Sequence, residues 1–365
     1  MVLSANKEFA FRLYRELSGL SDTRGKNVFF SPFCVSGILA TLSIGAREET
    51  HQQIFNVLGF NNFQLSQTDV EEAFCRIVKS EQAQTITSGT AVFVDNMFEP
   101  QPEFLDVLKQ FSFVKVFSVD FTKAIDSVNT LNKYVSDKTN GRINKLVDSL
   151  NSSTVLYLLN YIYYKGKWPI GFDPALTKLD EFNVDENNKV PVQMMKIEKH
   201  FYTFDEEIGT FVLHLPFSNS FSMLLLMPDN MTTLENIISP AHVTEWLNVT
   251  ESRDCGIYIP KFSIKTSYTL NDVLKEMGMT DMFDHANLNG ISKNERNLTS
   301  EVVHRAALDV DEAGATAAAA AGRVAFDSAC LKPALKFNSP FILMMIIERR
   351  TECILFMGKI SNPNL

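Results

Sequence analysis

The longest apolar run in the chain, TVLYLLNYIYYKGKW at residues 154–168, restricts the fold more than any other feature. The run is nearly continuous and would span about 50 Å if extended, which is typical of a long buried strand. It also marks a change of pattern, from mostly helical spacing before it to mostly strand-like alternation after it. No internal repeat or flexible linker interrupts the chain. We therefore expect one α+β domain over residues 1–365, with helices first and mostly antiparallel sheets after them.

Several helices of the first part have clear end signals. SPFCVSGILATLSIGA is apolar and small, with Ser31 at the N-cap position and Pro32 in the first turn. REETHQQIFNVLGF is amphipathic and should stop at Gly59. The stretch AIDSVNTLNKYVSDKTNGRI predicts a helix that ends near Asn140 and Gly141, and GTAVFVDN predicts a strand.

The second part is richer in strand patterns. FVLHLPFS and FSMLLLMPD predict a hairpin around a Ser-Asn-Ser turn. CGIYIPKFSIKTSY, at residues 255–268, predicts one further strand, and TLNDVLKEMGM predicts a helix. PFILMMIIERRTECILFMGKI predicts two apolar strands joined by a charged turn near Glu348 to Glu352.

Composition and motifs exclude several classes of function. The net charge of −9 makes nucleic acid and heparin-like polysaccharide poor partners, and no run of 18 apolar residues without charge predicts a membrane helix. The five cysteines and six histidines show no metal-ligand spacing, so we expect no metal, no cofactor and no disulfide scaffold. No G-x-S-x-G or H-E-x-x-H motif occurs, which argues against an enzyme.

Glycosylation motifs favour an extracellular protein. Four N-x-S/T sequons occur where about two are expected by chance, with candidate acceptors at Asn151, Asn230, Asn248 and Asn297. The N-terminal stretch is amphipathic and does not resemble a signal peptide. Met-Val-Leu is either an expression start on a mature secreted chain or a genuine cytosolic start. We expect a secreted protein and keep the cytoplasm as the alternative.

An alanine-rich segment, DEAGATAAAAAGRVAFDSACLKP, occupies residues 311–333. Five alanines stand in a row between Gly314 and Gly322, and Val324 and Phe326 then restore alternation. Alanine has high helix propensity, so a short surface helix is one interpretation. The other is a strand that slides into a tight gap, because small side chains on both faces remove most steric objection.

The flanks of this segment resemble the serpins, most closely the alpha-1-antitrypsin-like plasma serpins. The resemblance covers nearly the whole chain and rests on six stretches in order: NVFFSPFCVSGILATLSIGAREETHQQI, TNGRINKLV, LLNYIYYKGKW, VPVQMM, VVHRAALDVDEAGATAAAA and FNSPFILMMIIERRTECILFMGKISNP. It implies a single serpin domain with three mostly antiparallel β-sheets, about nine helices and an exposed reactive-centre loop at about 312–333. It also implies a monomer and a metastable native state.

The resemblance implies inhibition of serine proteases by a suicide-substrate mechanism. A protease cleaves the loop and forms an acyl-enzyme, and the loop then inserts into the central sheet as a new strand. The residues that match the loop hinge are Glu312, Gly314, Ala315, Thr316, Ala317, Ala318, Ala319 and Ala320. Ala315 replaces a usual Thr or Ser and Thr316 replaces a usual Glu. Both replacement residues are small, so we still expect the loop to insert into the central sheet.

The cleaved bond is open to within a residue or two. Counting sixteen residues on from Glu312 places it after Ser328, whereas counting back from KFNSPF places it after Ala329, before Cys330. A small residue at this position fits an elastase-like pocket. Phe326 would instead suit a chymotrypsin-like protease, and Asp327 would suit granzyme B or a caspase.

Four more residues match functional positions of the family. Ser31, Asn160 and His304 match a hydrogen-bonded cluster, the shutter, which controls the opening of the central sheet, and Cys34 replaces a frequent Ser there. Trp168 matches the breach, where the loop enters. Each also has a simpler interpretation, as a satisfied core polar group or a core aromatic residue.

The alternative function is that of a non-inhibitory serpin, either a hormone carrier or a peptide-hormone precursor. IIERRTECILFMGKI resembles the C-terminal strands of thyroxine-binding globulin. Carriers share the fold, so only the hinge sequence can distinguish an inhibitor from a non-inhibitory serpin. In this chain the hinge is of the inhibitory kind. Arg323 argues against an inhibitor. If the alanines at 315, 317, 319 and 321 face the core after insertion, Arg323 also turns inward, and a buried unpaired arginine is costly.

Overall fold

The computed structural model describes most of the chain. The described residues are 1–23, 25–80, 86–110, 114–141, 143, 145, 147, 149–150, 154–169, 171–197, 200–217, 221–249, 251–253, 256–293, 299–312, 335–347 and 352–365. They form two compact units. The first unit comprises Met1–Glu16, Phe30–Tyr164 and Lys265–Ala307, and the second comprises Leu17–Phe29, Lys165–Ile264 and Leu308–Leu365. The expectation of one domain over 1–365 stays a prediction.

Ten α-helices lie within the described residues, six of them before residue 140. They are α1 (Val2–Gly19), α2 (Pro32–Gly45), α3 (Glu48–Val57), α4 (Gln67–Ser80), α5 (Pro102–Gln110), α6 (Ala124–Lys138), α7 (Met231–Ile237), α8 (Pro240–Val249), α9 (Asn271–Glu276) and α10 (Asp281–Asp284).

Sixteen strands were identified in the same residues. They are β1 (Val28–Phe30), β2 (Ile86–Asp95), β3 (Val114–Val119), β4 (Thr154–Tyr164), β5 (Lys178–Asn183), β6 (Lys189–Ile197), β7 (His200–Asp205), β8 (Thr210–Pro216), β9 (Phe221–Pro228), β10 (Glu251–Arg253), β11 (Ile257–Pro260), β12 (Phe262–Thr269), β13 (Thr299–Val310), β14 (Leu335–Lys336), β15 (Phe341–Ile347) and β16 (Cys353–Ile360).

The strands form three sheets, as the resemblance implies. A five-stranded sheet has the order β12-β13-β4-β2-β3, a four-stranded sheet has the order β14-β11-β6-β5, and a seven-stranded sheet has the order β1-β16-β15-β9-β8-β7-β10. Most recorded pairings are antiparallel, whereas β2 pairs with β3 and β11 pairs with β14 in parallel. The expected α+β class with three mostly antiparallel sheets is therefore confirmed.

Local signals position the first buried helix. The extended backbone of Ser31 precedes α2, and its side-chain oxygen accepts a hydrogen bond from the Cys34 N–H at 3.2 Å. Almost every residue of α2 is buried, because its glycine, alanine and serine residues let neighbouring elements approach on all faces. α6 ends where expected, with Asn140 and Gly141 both in the left-handed region.

Two strand predictions need correction. The stretch 255–268 is not one strand, because β11 belongs to the four-stranded sheet and β12 to the five-stranded sheet. Pro260 ends β11 because it lacks an N–H for the ladder, and the exposed Lys261 separates the two strands. The long apolar run forms β4 only as far as Tyr164, since the charged sequence KGK follows it.

A hydrophobic core covers one face of β4 in the first unit. Phe93, Tyr157 and Tyr161 pack there with buried residues of α6 such as Leu131 and Val135. β2 and β4 pair over nine residues, and Thr90 lies directly opposite Asn160. This long ladder fixes the register of the residues that build the candidate site.

Candidate functional site

The structure brings Ser31, Asn160 and His304 together in the first unit. His304 lies on β13 with 1% of its surface exposed, and the backbone N–H of Ser31 donates to its Nε2 at 2.9 Å. Its Nδ1 lies 3.1 Å from Oδ1 of Asn160 on β4. β13 and β4 are neighbours in the five-stranded sheet, so one side-chain hydrogen bond bridges their boundary.

The hydrogen bonds determine the protonation state of His304. A backbone N–H can only donate, so Nε2 must accept and the ring proton must be on Nδ1. Nδ1–H then donates to the Asn160 oxygen. Burial lowers the pKa of His304 from 6.5 to about 3, which keeps the imidazole neutral at physiological pH.

Thr90 extends this arrangement, although it was not among the residues that the sequence singled out. Nδ2 of Asn160 donates to Oγ1 of Thr90 on β2 at 3.1 Å, and both residues are almost completely buried. The sequence places Thr90 on a strand, but its partner depends on the register between β2 and β4. β2 also contains Thr87 and Ser88, so residue type alone gives no signal that distinguishes Thr90.

Cys34 completes what we call the sheet cluster, which comprises Ser31, Cys34, Thr90, Asn160 and His304. Burial raises the pKa of the Cys34 thiol to about 11, and side-chain hydrogen bonds with Ser31 and Asn160 act in the opposite direction. The thiol is therefore protonated. The whole sheet cluster is uncharged at neutral pH.

Trp168 lies in the second unit, just after β4. It is 4% exposed, stacks on Phe217 with ring centroids 4.4 Å apart and meets Phe172 edge-on at 5.6 Å. Its Nε1 donates to the carbonyl oxygen of Asp311 at 3.0 Å. The Asp311 carboxylate also pairs with Lys165 at 2.8 Å.

Glu312, the first hinge residue of the sequence prediction, is held beside Asp311. Nζ of Lys261 lies 2.7 Å from one carboxylate oxygen, and the Thr177 hydroxyl donates to the other at 2.9 Å. Partial burial acts to raise the pKa of Glu312, but hydrogen bonds, chiefly from Lys261, outweigh it and lower the pKa overall. We call Lys165, Trp168, Lys261, Asp311 and Glu312 the loop base.

The remaining predicted loop residues lie outside the described part of the chain. They are Gly314, Ala315, Thr316, Ala317, Ala318, Ala319, Ala320, Phe326, Asp327, Ser328, Ala329 and Cys330. Of the sequon asparagines, Asn151 and Asn297 also lie outside it, whereas Asn230 and Asn248 are exposed.

Within the described residues, no group of three or more His, Cys, Asp and Glu side chains is arranged to hold a metal ion. The described helices include none with the length and apolar character needed to cross a membrane.

The chain is similar to known proteins over nearly its whole length. A family model described as serpin (serine protease inhibitor) matches residues 4–363. Serpin A3-5 of Bos taurus is 36% identical over 99% of this chain and 89% of its own length. Glycosylated human kallistatin superposes with a TM-score of 0.90 at 32% identity over 100% of this chain and 98% of that chain. Human thyroxine-binding globulin in complex with thyroxine also gives 0.90, at 30% identity over 100% and 99% of the two chains.

Proposed function

The chain belongs to the serpins, a family of serine protease inhibitors, and we propose that it traps a serine protease as a suicide substrate. Serpins inhibit proteases and do not themselves catalyse a reaction. In the proposed mechanism, the protease cleaves the reactive loop and remains bound as an acyl-enzyme. The loop then inserts into the five-stranded sheet before the ester is hydrolysed.

One observation carries the proposal, namely that an alanine-rich segment follows β13 directly. β13 ends at Val310 and is the neighbour of β4, to which the His304–Asn160 hydrogen bond joins it. A segment that turns back at the loop base would pair antiparallel with β13, so β4 would have to separate from β13 to admit it. The side-chain hydrogen bond between His304 and Asn160 can break at that boundary without unfolding either strand.

The composition of the segment suits this movement. Alanine enters a sheet without the desolvation penalty of a polar group, which is about 1–3 kcal/mol for each unpaired group. Ten or more new ladder bonds, at about 0.5–1.5 kcal/mol each, would stabilise the inserted form by about 10 kcal/mol. A gain of this size would strongly favour the inserted form at equilibrium.

The proposed target is an elastase-like or chymotrypsin-like protease, with granzyme B as an alternative. Cleavage after Ser328 or Ala329 fits a small specificity pocket, whereas Phe326 and Asp327 fit the other two. The test is to incubate the protein with elastase, chymotrypsin, trypsin and granzyme B and to analyse denaturing gels. Sequencing of the released C-terminal peptide identifies the cleaved bond.

The expected result is a complex with one of these proteases that survives boiling in detergent. A protease whose catalytic serine is replaced by alanine provides the control and should form no such complex. If every protease cleaves the loop and dissociates, inhibition is contradicted and the carrier or hormone-precursor function gains support.

We also propose that the protein is secreted and carries a glycan at Asn230. Asn230 is exposed, and its Oδ1 caps α7 by accepting from the Thr233 N–H at 2.9 Å. This bond leaves the amide nitrogen to carry a sugar. After secretory expression, Thr232→Ala should remove one glycan while the cap remains. If the mass of the secreted protein does not change on deglycosylation, the assignment of a glycan to Asn230 is contradicted.

A further inference from the structure

We propose that Asp180 is a specificity-determining residue, because it holds the side chain of Lys336 and so protects the Lys336–Phe337 bond from proteases that cleave after basic residues. Lys336 lies on β14, just beyond the predicted reactive loop. This inference rests on the proposed function, in which the productive cut falls near Ser328, and it specifies which competing cut is suppressed.

The sequence has one susceptible bond on the C-terminal side of the candidate cleavage positions. Residues 327–338 contain two basic residues, Lys332 and Lys336. Lys332 precedes Pro333, which has no N–H and whose ring restricts the preceding residue, so the bond between them is a poor protease substrate. Lys336 precedes Phe337, and this bond has no such intrinsic protection. Its protection has to come from the folded structure.

Asp180 and Tyr258 hold the Lys336 side chain. Nζ of Lys336 lies 2.7 Å from Oδ2 of Asp180 and 5.6 Å from the centroid of the Tyr258 ring. Oδ1 of Asp180 accepts from the Glu181 N–H at 2.8 Å, which orients the carboxylate. Hydrogen bonds from Lys336 and from the Glu181 N–H lower the pKa of Asp180, so the ion pair is charged at neutral pH. A trypsin-like pocket needs the same ammonium group for its own carboxylate.

The backbone pairing of β14 is short, so this side-chain contact matters for its retention. β14 pairs with β11 over two residues, and the Phe337 N–H donates to the Tyr258 carbonyl oxygen at 2.8 Å. β5 and β14 are the two edge strands of the four-stranded sheet, and the ion pair joins them. A protease must take up the residues around Lys336 as an extended strand. It can therefore cut there when β14 is released from β11.

The segment that carries Asp180 also holds the other end of the predicted loop. Thr177, which directly precedes β5, donates to Glu312 at 2.9 Å. Thr177 and Asp180 are about 10 Å apart along an extended chain, so one short segment holds both ends. A cut after Lys336 instead of Ser328 would leave about 26 Å of additional chain between the hinge and the protease. With this slack the acyl-enzyme would hydrolyse undistorted, and the inhibitor would be consumed without trapping.

The test measures cleavage by trypsin after Lys336 in an Arg323→Ala background, which removes the basic residue nearer the hinge. Mass spectrometry of the fragment 337–365 gives its initial rate of release. We expect Asp180→Asn to raise this rate about threefold, because a partly exposed ion pair changes the released population of β14 by about that factor. Asp180→Glu keeps a carboxylate and should restore most of the protection.

Glu181→Gln is the matched control. Glu181 lies on the same strand, and its ion pair with Lys189, at 3.1 Å, lies within the β5–β6 hairpin. This change should leave the cleavage rate unaltered. Hydrogen exchange of the Phe337 amide, which reports release of β14 without a protease, should be about threefold faster in Asp180→Asn and unchanged in Glu181→Gln.

The outcomes separate this inference from the proposed function. Equal cleavage or equal exchange in Asp180→Asn and the parent protein overturns the inference, and so does an equal rise in Glu181→Gln. Trapping of a protease in the gel assay would be unaffected by either result. If Asp180→Asn is cut faster but no protease is trapped, the protection of Lys336 is supported and the inhibitor function is contradicted.

Discussion

The sheet cluster and the loop base both restrain β13 or the residues that follow it, but they do so with opposite chemistry. The sheet cluster is buried and uncharged, and its bonds depend on one imidazole that stays neutral. The loop base uses ion pairs with lysines that remain 40% and 45% exposed. In a buried neutral network, the loss of one side-chain orientation disrupts all of the hydrogen bonds together. Exposed ion pairs break independently of one another and are weakened by salt.

This contrast suggests a division of roles within the proposed mechanism. The sheet cluster contains a side-chain bond that insertion must break, namely the His304–Asn160 bond. The loop base holds Asp311 and Glu312, where the inserted segment would have to begin. The first region would thus set when the sheet opens and the second would set where the new strand starts.

The largest expected effect comes from cleavage of the loop near Ser328. Insertion would replace the existing β13–β4 pairing and its side-chain bridge by two backbone ladders, with a net gain of about 10 kcal/mol. At about 2 °C or more per kcal/mol for a chain of this size, the melting temperature should rise by about 20 °C or more with both fragments still associated. Thermal unfolding of intact and cleaved protein measures this. A cleaved form that melts with the intact form would mean that the loop stays outside, and Arg323 would be the first residue to replace.

The second prediction tests which face of the hinge enters the sheet. Ala319→Glu should convert the inhibitor into a substrate, because insertion would bury a carboxylate at a cost of several kcal/mol, or about a hundredfold or more in rate. Ala317→Arg should act in the same way. Ala318→Glu, whose side chain would face away, is the control and should still trap protease. Gels that separate complex from cleaved protein give the ratio, and equal trapping by all three would contradict insertion of this segment.

The third prediction uses the titration of the sheet cluster. The folded-state pKa of His304 is about 3, below its usual 6.5, so the unfolded chain takes up a proton first as the pH falls. This contribution to stability is complete above about pH 6.5 and should be lost by about 1.4 kcal/mol per pH unit below it. Urea unfolding between pH 7.5 and 4.5 measures the slope. His304→Gln should remove this part of the slope, and an unchanged slope in His304→Gln would refute the assignment.

The smallest effect is expected at the loop base. Lys261→Met should lower the free energy of unfolding by about 1 kcal/mol or less at low salt, and the difference from wild type should shrink in 1 M NaCl. Lys165→Met, at the neighbouring ion pair, provides the matched comparison. A loss of several kcal/mol that persists at high salt would mean that the two regions do not differ as described.

The sequence predicted the fold and part of the site because those features are local. Ser31 precedes a proline and a small apolar helix, and His304 and Trp168 sit in recognisable stretches. Thr90 was missed because its role depends on the register of two distant strands. The division of residues 255–268 was missed for a related reason, since alternation continues through Pro260 while the chain changes sheets.

The partners of the loop base could not be predicted either. Lys165, Thr177 and Lys261 come from three separate segments of the second unit, and only their folded positions bring them to Asp311 and Glu312. Charged residues are common on any surface, so their types alone carry little information about pairing.

The bond from Trp168 to the Asp311 carbonyl has an optical consequence. The chain has two tryptophans, and the other, Trp246, is buried on α8 with its Nε1 bonded to Asp205. Indole emission responds to the polarity and hydrogen bonding around the ring. In a Trp246→Phe variant, the remaining fluorescence would come from Trp168 alone, stacked on Phe217 and bonded to the residue before the hinge. The protein thus contains its own spectroscopic reporter, and the movement of the loop is open to stopped-flow measurement without an attached dye.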